Sequence, residues 1–395
     1  MVVLKFRVRK KDKFTKARLG VLKLENGKTI KTPVLWIGDQ IKDCLNIWEK
    51  FNVNTIMFNS YDILYNVNES RLNKKNRIHE YVGDEKISIM MDSGGYLFQK
   101  KRTLAVSPKD ILELYKSTMP DIAVVLDHPL NPMESSDENR RRWSKTIENT
   151  KFMWEDRDGI VLMPVVHGYT LNELKKACDE IKRITEPELV VVGLGSMVPL
   201  IRAIKNVGVT FRNNNGNSKN YGPLHYFIDA IKLVRSEFPD SFLHVFGIGS
   251  VSTMHLLFSL GVDSVDTLGW RLKAAHGAIQ LPGVGDRFIA PNGKRKRKKL
   301  AEVEEVLLEK CRCPVCRGLK IEERKKKLSN GIKNGTFDNR AIHNAWVFYQ
   351  ECLTARRMIG RKKYLEFTAG RLKNTIYRKY LDYAFNSSLG SHQYV

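Results

Sequence analysis

At 395 residues the chain is long enough for one large α/β domain with an appendage or for two ordinary domains. Its formal net charge of +24 and pI near 9.7 exceed what solubility requires and point to a polyanionic partner, nucleic acid before membrane. There is no apolar run of about eighteen residues, and the start Met1-Val2-Val3-Leu4-Lys5-Phe6 lacks a signal peptide's apolar core and cleavage site, so a soluble, cytoplasmic protein is expected rather than a membrane-spanning or secreted one.

From the N-terminus onward, short apolar runs rich in β-branched residues fall at 33–37, 54–59, 87–92, 122–127, 160–166, 189–194, 243–248 and 263–267. Between them the spacing predicts helices over 108–117, 137–154, 171–184, 224–238 and 252–260, with apolar residues at three- and four-residue intervals. Eight such units predict a closed (β/α)8 TIM barrel, with a doubly wound open sheet as the alternative, because counting strands does not establish closure. Asn59, Asp92, Asp127, His167, Gly193-Leu194-Gly195, Gly247-Ile248-Gly249 and Asp266 lie at or just past the carboxyl ends of these strands, the rim on which such barrels build sites. A single aspartate there is commonly a helix cap or turn former; seven polar or glycine strand ends on one rim are harder to explain that way.

After the eighth strand comes a basic run, Lys294, Arg295, Lys296, Arg297, Lys298 and Lys299, and a second, Arg324-Lys325-Lys326-Lys327, follows. Both are expected to contact phosphates, as is Arg271. Between them stand Cys311, Cys313 and Cys316, three of the six cysteines, with His343 further on in a stretch of helical period at 341–352. Three thiolates and an imidazole are the donors of a closed tetrahedral site, so structural Zn2+ is expected. Cys44, Cys178 and Cys352 are isolated and read as reduced, buried side chains. The expected division is a barrel over 1–300, a basic zinc-binding subdomain over 301–344, and C-terminal helices packing on the barrel over 345–395 with a disordered end.

The chemistry-bearing stretches are Asp92-Ser93-Gly94-Gly95-Tyr96, Asp127 and Asp266. The first sets a carboxylate before a glycine turn and an aromatic plate suited to a flat heterocycle, and Asp127 can accept from ring N–H and amino groups of a purine edge. Two carboxylates flanking an acetal-like carbon can serve as nucleophile and acid/base, as in retaining glycosidases, so glycosyl exchange is the expected reaction and no nucleotide cofactor is needed.

These residues resemble the tRNA-guanine transglycosylases over most of the chain. The likeness is carried by Asp92 to Tyr96, Pro120-Asp121-Ile122 leading to Asp127, Gly193-Leu194-Gly195 with Val198-Pro199-Leu200, Phe246-Gly247-Ile248-Gly249, Gly261-Val262-Asp263 leading to Asp266, and the Cys-x-Cys-x-x-Cys and His set. The resemblance implies Asp266 as nucleophile, Asp92 as general acid/base, Tyr96 stacking on the base, Asp127 reading its edge, His167 and Asn59 touching base, sugar or nucleophile, and backbone contacts from Gly193, Leu194 and Gly195. His167-Gly168 stands where the tRNA enzymes usually have glutamine and glycine. Asp266-Thr267-Leu268-Gly269-Trp270-Arg271 also departs from the usual run. These departures look more like the paralogous branch that installs 7-deazaguanine bases, such as 7-cyano-7-deazaguanine, in DNA. DNA is therefore expected over tRNA, with helper proteins as further partners; the same exchange on tRNA and a non-catalytic nucleic-acid-binding subunit are the alternatives.

Overall fold

The computed structural model describes residues 4–41, 44–66, 77–97, 106–201, 210–212, 218, 221–289, 298–329, 337–361 and 363–385. An antiparallel sheet comes first, made of β1 (Lys5–Lys11), β2 (Arg18–Lys23) and β3 (Thr29–Thr32). It was not expected, because β1 is mostly exposed and basic and carries little apolar signal. There follow β4 (Val34–Gly38), β5 (Thr55–Asn59), β6 (Ser88–Asp92), β7 (Ile122–Val124), β8 (Leu162–Met163), β9 (Val165–Val166), β10 (Val191–Leu194), β11 (Phe242–Val245) and β12 (Ser264–Thr267). All run parallel in the order β8-β7-β6-β5-β4-β12-β11-β10-β9. β8 and β9 are halves of one strand parted at Pro164, which lacks an N–H for the ladder but whose carbonyl still accepts from Gly193 N–H at 2.9 Å. With β8 on β7 and β9 on β10, the two ends of the sheet are one strand; the barrel is closed, and it is the expected (β/α)8 fold rather than the open sheet.

Alternation along these strands sorts the side chains. Val34, Trp36, Met57, Met90, Ile122, Val124, Met163, Val165, Val191 and Phe242 form an inner cluster with Leu22, Leu24 and Ile30 of the N-terminal sheet, which plugs the amino-terminal end. Leu35, Ile37, Ile56, Phe58, Ile89 and Met91 belong to the outer cluster that takes the helices. Arg18 ties the plug to the barrel through a buried pair with Asp263, Nε to Oδ1 at 2.8 Å and Nη2 to Oδ2 at 2.6 Å. Continuing the inward parity by one step beyond Met57, Met90 and Ser264 reaches Asn59, Asp92 and Asp266, so the carboxyl-terminal rim is the layer in which polar groups replace hydrocarbon.

The surrounding helices begin on side-chain caps: Ser107 with Asp110 for Pro108–Thr118, Ser135 for Ser136–Glu155, and Thr170 with Glu173 for Leu171–Thr185. Beyond the barrel, the hairpin β13 (Ile279–Leu281) and β14 (Val284–Arg287) packs with Leu300, Leu308, the three clustered cysteines and Leu328 in a small separate core. The helix Asp338–Met358 joins this core to the barrel, since His343 lies in its first turns while Tyr349, Cys352 and Ala355 pack in the main core. Among the described residues no helix is long and apolar enough to cross a membrane. The tail expected to be disordered, from residue 386, lies outside the described residues.

Candidate active site

The rim gathers three carboxylates. Asp92 ends β6, Asp266 lies in β12, and Asp127 sits three residues past Val124, the last residue of β7. Burial, and then the charges of Asp127 and Asp266, push the Asp92 carboxyl up to about 8, against backbone N–H groups of Gly94 and Ser93 that act the other way. The three groups therefore share one electrostatic environment, and its effect on Asp92 is to hold the proton on that carboxyl at neutral pH. Asn59, its ladder partner on β5, donates from Nδ2 to Asp92 Oδ2 at 2.6 Å and accepts from Tyr61 N–H through Oδ1. Asn59 thus orients Asp92, whereas the sequence suggested Asp266, the sugar or the base. The two glycines after Asp92 have separate tasks. Gly94 takes φ +86°, and a Cβ on Gly95 would stand 2.1 Å from the Asp127 carbonyl oxygen, so Gly95 allows the two loops to touch.

Asp266 is held by the loop after β11 and by the barrel interior. Gly247 N–H donates to Asp266 Oδ1 at 2.6 Å, and Gly249 N–H donates to the Asp266 carbonyl at 2.8 Å. Gly247 has φ +72°, and a Cβ on Gly249 would lie 2.6 Å from that carbonyl, which explains why this loop needs glycine at both places. His244, fully buried, brings Nε2 to 3.2 Å from the same Oδ1, with its Nδ1 at 2.7 Å from Ser264 Oγ. Neither His244 nor Ser264 stood out in the sequence, because their relevance depends on sharing the inward parity of Asp266.

His167, also buried, has Nδ1 at 2.8 Å from Ser196 Oγ, which itself accepts from Leu130 N–H. Its Nε2 is 3.1 Å from Asp127 Oδ2 but is not aligned for a hydrogen bond, so that among the described residues this buried nitrogen has no hydrogen-bond partner. Ser196 adopts φ +62°, a strained value for a residue with a side chain, and a Cβ on Gly195 would strike the His167 ring at 2.3 Å. Gly193 and Gly195 donate their N–H groups to the Pro164 and Val166 carbonyls, so neither N–H is free for a ligand, and Leu194 is turned into the outer core. Tyr96 is 63 % exposed beside the site. Arg271 lies 3.3 Å from buried Asp39 and is partly neutralised by it. Lys294, Arg295, Lys296 and Arg297 lie outside the described residues. The second basic run corrects the expectation of phosphate contact at Arg324, which is buried and donates to the Leu308, Glu309 and Cys311 carbonyls, while Lys325 pairs with Glu305 and Glu322. Cavities of about 290 and 630 Å3 open at the amino ends of the strands, away from the carboxylates.

Cys311, Cys313, Cys316 and His343 are buried with their donor atoms within 4.8 Å of one another. His343 Nε2 faces the Gln280 carbonyl at 2.9 Å and must donate to it, which leaves the Nδ1 lone pair for the sulfurs. The Nδ1 to Sγ distances are 3.5, 3.5 and 3.6 Å. Bonds of about 2.3 Å to sulfur and 2.05 Å to nitrogen at a tetrahedral angle require a separation of about 3.55 Å, so the donor set fits zinc. Arg324, by holding the Cys311 carbonyl, fixes the loop that carries the first ligand.

The family described as Queuine tRNA-ribosyltransferase matches residues 12–376 of the chain. Among similar proteins, the tRNA-guanine(15) transglycosylase of Methanococcus aeolicus is 25% identical over 381 residues, covering 93% of this chain and 52% of that protein. The enzymes of the same name from Pyrococcus abyssi and Thermococcus onnurineus are 27% and 26% identical, covering 88% and 91% of this chain and 53% and 55% of theirs. The chain spans about half the length of the curated relatives it matches. These relatives are named for tRNA, which overturns the expected placement in the DNA-modifying branch and the preference for DNA as partner. The departures at His167-Gly168 and after Asp266 do not by themselves separate the two polymers, and a basic surface suits either nucleic acid.

Proposed function

Since the chain belongs to the queuine tRNA-ribosyltransferase family, we propose that it is a guanine transglycosylase acting on tRNA, exchanging a guanine for a 7-deazaguanine base. The observation that carries this reading is the inequality of two rim carboxyls, Asp92 held protonated by burial and like charge, and Asp266 held by two donors on one oxygen. In the first half-reaction Asp266 attacks C1′ of the target nucleotide, the bond from C1′ to guanine breaks, and the Asp92 proton passes to the departing base. In the second, the incoming 7-deazaguanine gives its ring proton to Asp92, its nitrogen bonds to C1′, and the Asp266 ester is displaced. The target base must leave its stack for C1′ to reach Asp266. Asp127 and the unsatisfied His167 Nε2 face the base edge, and Tyr96 supplies a stacking surface. We also assign the ion of the Cys3His group as structural zinc, because four protein donors complete the tetrahedron and leave no position for water. Incubating the protein with radiolabelled guanine and either tRNA or duplex DNA tests the reading: label is expected in tRNA, and a tRNA fraction that stays unlabelled overturns it.

A further inference from the structure

Beneath Asp266 the barrel interior carries polar groups where its neighbours are hydrocarbon. Trp36 is fully buried, and its Nε1–H donates to Ser264 Oγ at 2.7 Å; Ser264 Oγ lies 2.7 Å from His244 Nδ1; His244 Nε2 lies 3.2 Å from Asp266 Oδ1. All three side chains are inward-facing residues of β4, β11 and β12, and the His244 ring is braced edge-on by Phe246 at 4.3 Å between centroids. The protons in this chain have one consistent direction. The Trp36 indole can only donate, so Ser264 Oγ accepts from it and turns its own proton to His244 Nδ1. Nδ1 then accepts, and Nε2 bears the hydrogen that points to Asp266. The opposite arrangement would set a bare Nε2 lone pair against a carboxylate oxygen and leave the Ser264 proton without an acceptor.

Both donors to the Asp266 side chain, His244 Nε2–H and Gly247 N–H, converge on Oδ1, and among the described residues no hydrogen bond reaches Oδ2. We propose that His244, locked in one tautomer by Ser264 and Trp36, is a positioning residue that pins Oδ1 of Asp266 and so presents Oδ2 to the reacting carbon. This rests on the reading of Asp266 as the nucleophile. A carboxylate held by Gly247 alone could still rotate about that contact; a second donor from the interior fixes its plane. Packing alone would be served by an apolar residue at 244, continuing the inward hydrocarbon of Phe242 one layer up and needing no Ser264 hydroxyl to satisfy it.

The test uses the full zinc-loaded protein and tRNA in single turnover, following the covalent protein–tRNA adduct on denaturing gels, with steady-state kcat and KM and thermal unfolding alongside. His244→Phe keeps a ring and removes the donor; adduct formation is expected to slow about 100-fold with KM for tRNA nearly unchanged. His244→Gln returns an N–H donor and is expected to recover most of that loss. Ser264→Ala, which touches neither Asp266 nor substrate, unlocks the tautomer and is expected to slow adduct formation about tenfold; should His244→Phe fail to fold, this variant decides. Adduct formation at the parental rate in His244→Phe or in a folded Ser264→Ala overturns the proposal, as does a loss that His244→Gln does not relieve. Asp266→Ala separates the two levels: if it still forms adduct, the nucleophile assignment fails, and if it forms none while the His244 and Ser264 variants match the parent, only the positioning role fails.

Discussion

Replacing Asp92 by asparagine should make the protein more stable, by an amount that depends on pH. The folded state keeps the Asp92 proton up to about pH 8, whereas an unperturbed carboxyl releases it near 3.8. Between those values folding takes up a proton, so each unit of rising pH weakens the folded state by about 1.4 kcal/mol; below 3.8 both states are protonated and above 8 the loss is complete. At pH 7 the accumulated cost is about 4 kcal/mol as an upper bound, and because Asp92 keeps some solvent contact at the rim, about 2 kcal/mol is the expected gain on removing it. Asparagine preserves the acceptor for Asn59 Nδ2, so the substitution deletes the ionisation and little else. Urea unfolding of the parent and Asp92→Asn proteins between pH 5.5 and 8 measures the difference directly, and the metal site's own pH dependence cancels because both carry it. The stability gain should grow steadily with pH while exchange activity is lost. A difference that is flat with pH, or a variant less stable at pH 7.5, would refute the account of Asp92 as a carboxyl kept neutral by its surroundings.

The same proton gives a rate prediction: kcat/KM for guanine exchange should fall above about pH 8, as Asp92 loses the proton needed by the departing base, and initial rates across pH 6 to 9.5 check it. Gly95→Ala brings a Cβ to within 2.1 Å of the Asp127 carbonyl and 2.7 Å of its Oδ1, so exchange should drop about 100-fold or more, with a loss of about 1–3 kcal/mol in stability by denaturant titration. Cys313→Ser should abolish stoichiometric zinc by metal analysis and lower the unfolding temperature, while circular dichroism of the barrel persists; bound zinc equal to that of the parent would contradict the Cys3His assignment.

The barrel was legible because its strands are short β-branched runs, and the rim because carboxylates and glycines recur where those runs stop. Closure was not, since it depends on Leu162–Met163 and Val165–Val166 being one strand interrupted at Pro164, a fact of pairing and not of composition. His244 was hidden for a related reason. A histidine between Leu243 and Val245 looks like a core residue until the register places it beside Ser264, on the inward side of the sheet. Arg324 shows the limit from the other direction: a run of four basic residues looks uniformly solvent-facing, yet one helix turn buries the first of them against four carbonyls. The choice between DNA and tRNA was least accessible, because neither His167-Gly168 nor the residues after Asp266 carry chemistry that distinguishes the two polymers.

The opposite roles proposed for two aspartates of one chemical type follow from the inward parity of the barrel, which gives each a different floor. Below Asp92 lies Met90, hydrocarbon that offers the charge nothing, and beside it stand two further carboxyls, so the proton stays. Below Asp266 lies Ser264, which holds the His244 ring so that its Nε2 and the Gly247 amide both reach one oxygen of the carboxylate. Exchanging those floors is the strongest form of the argument. A Ser264→Met substitution would give Asp266 the same underlayer as Asp92, and the expected outcome is a folded protein that binds tRNA but forms adduct slowly. Retention of the parental adduct rate in that variant would mean that the rim loops alone, and not the layer beneath, divide the work between the two carboxyls.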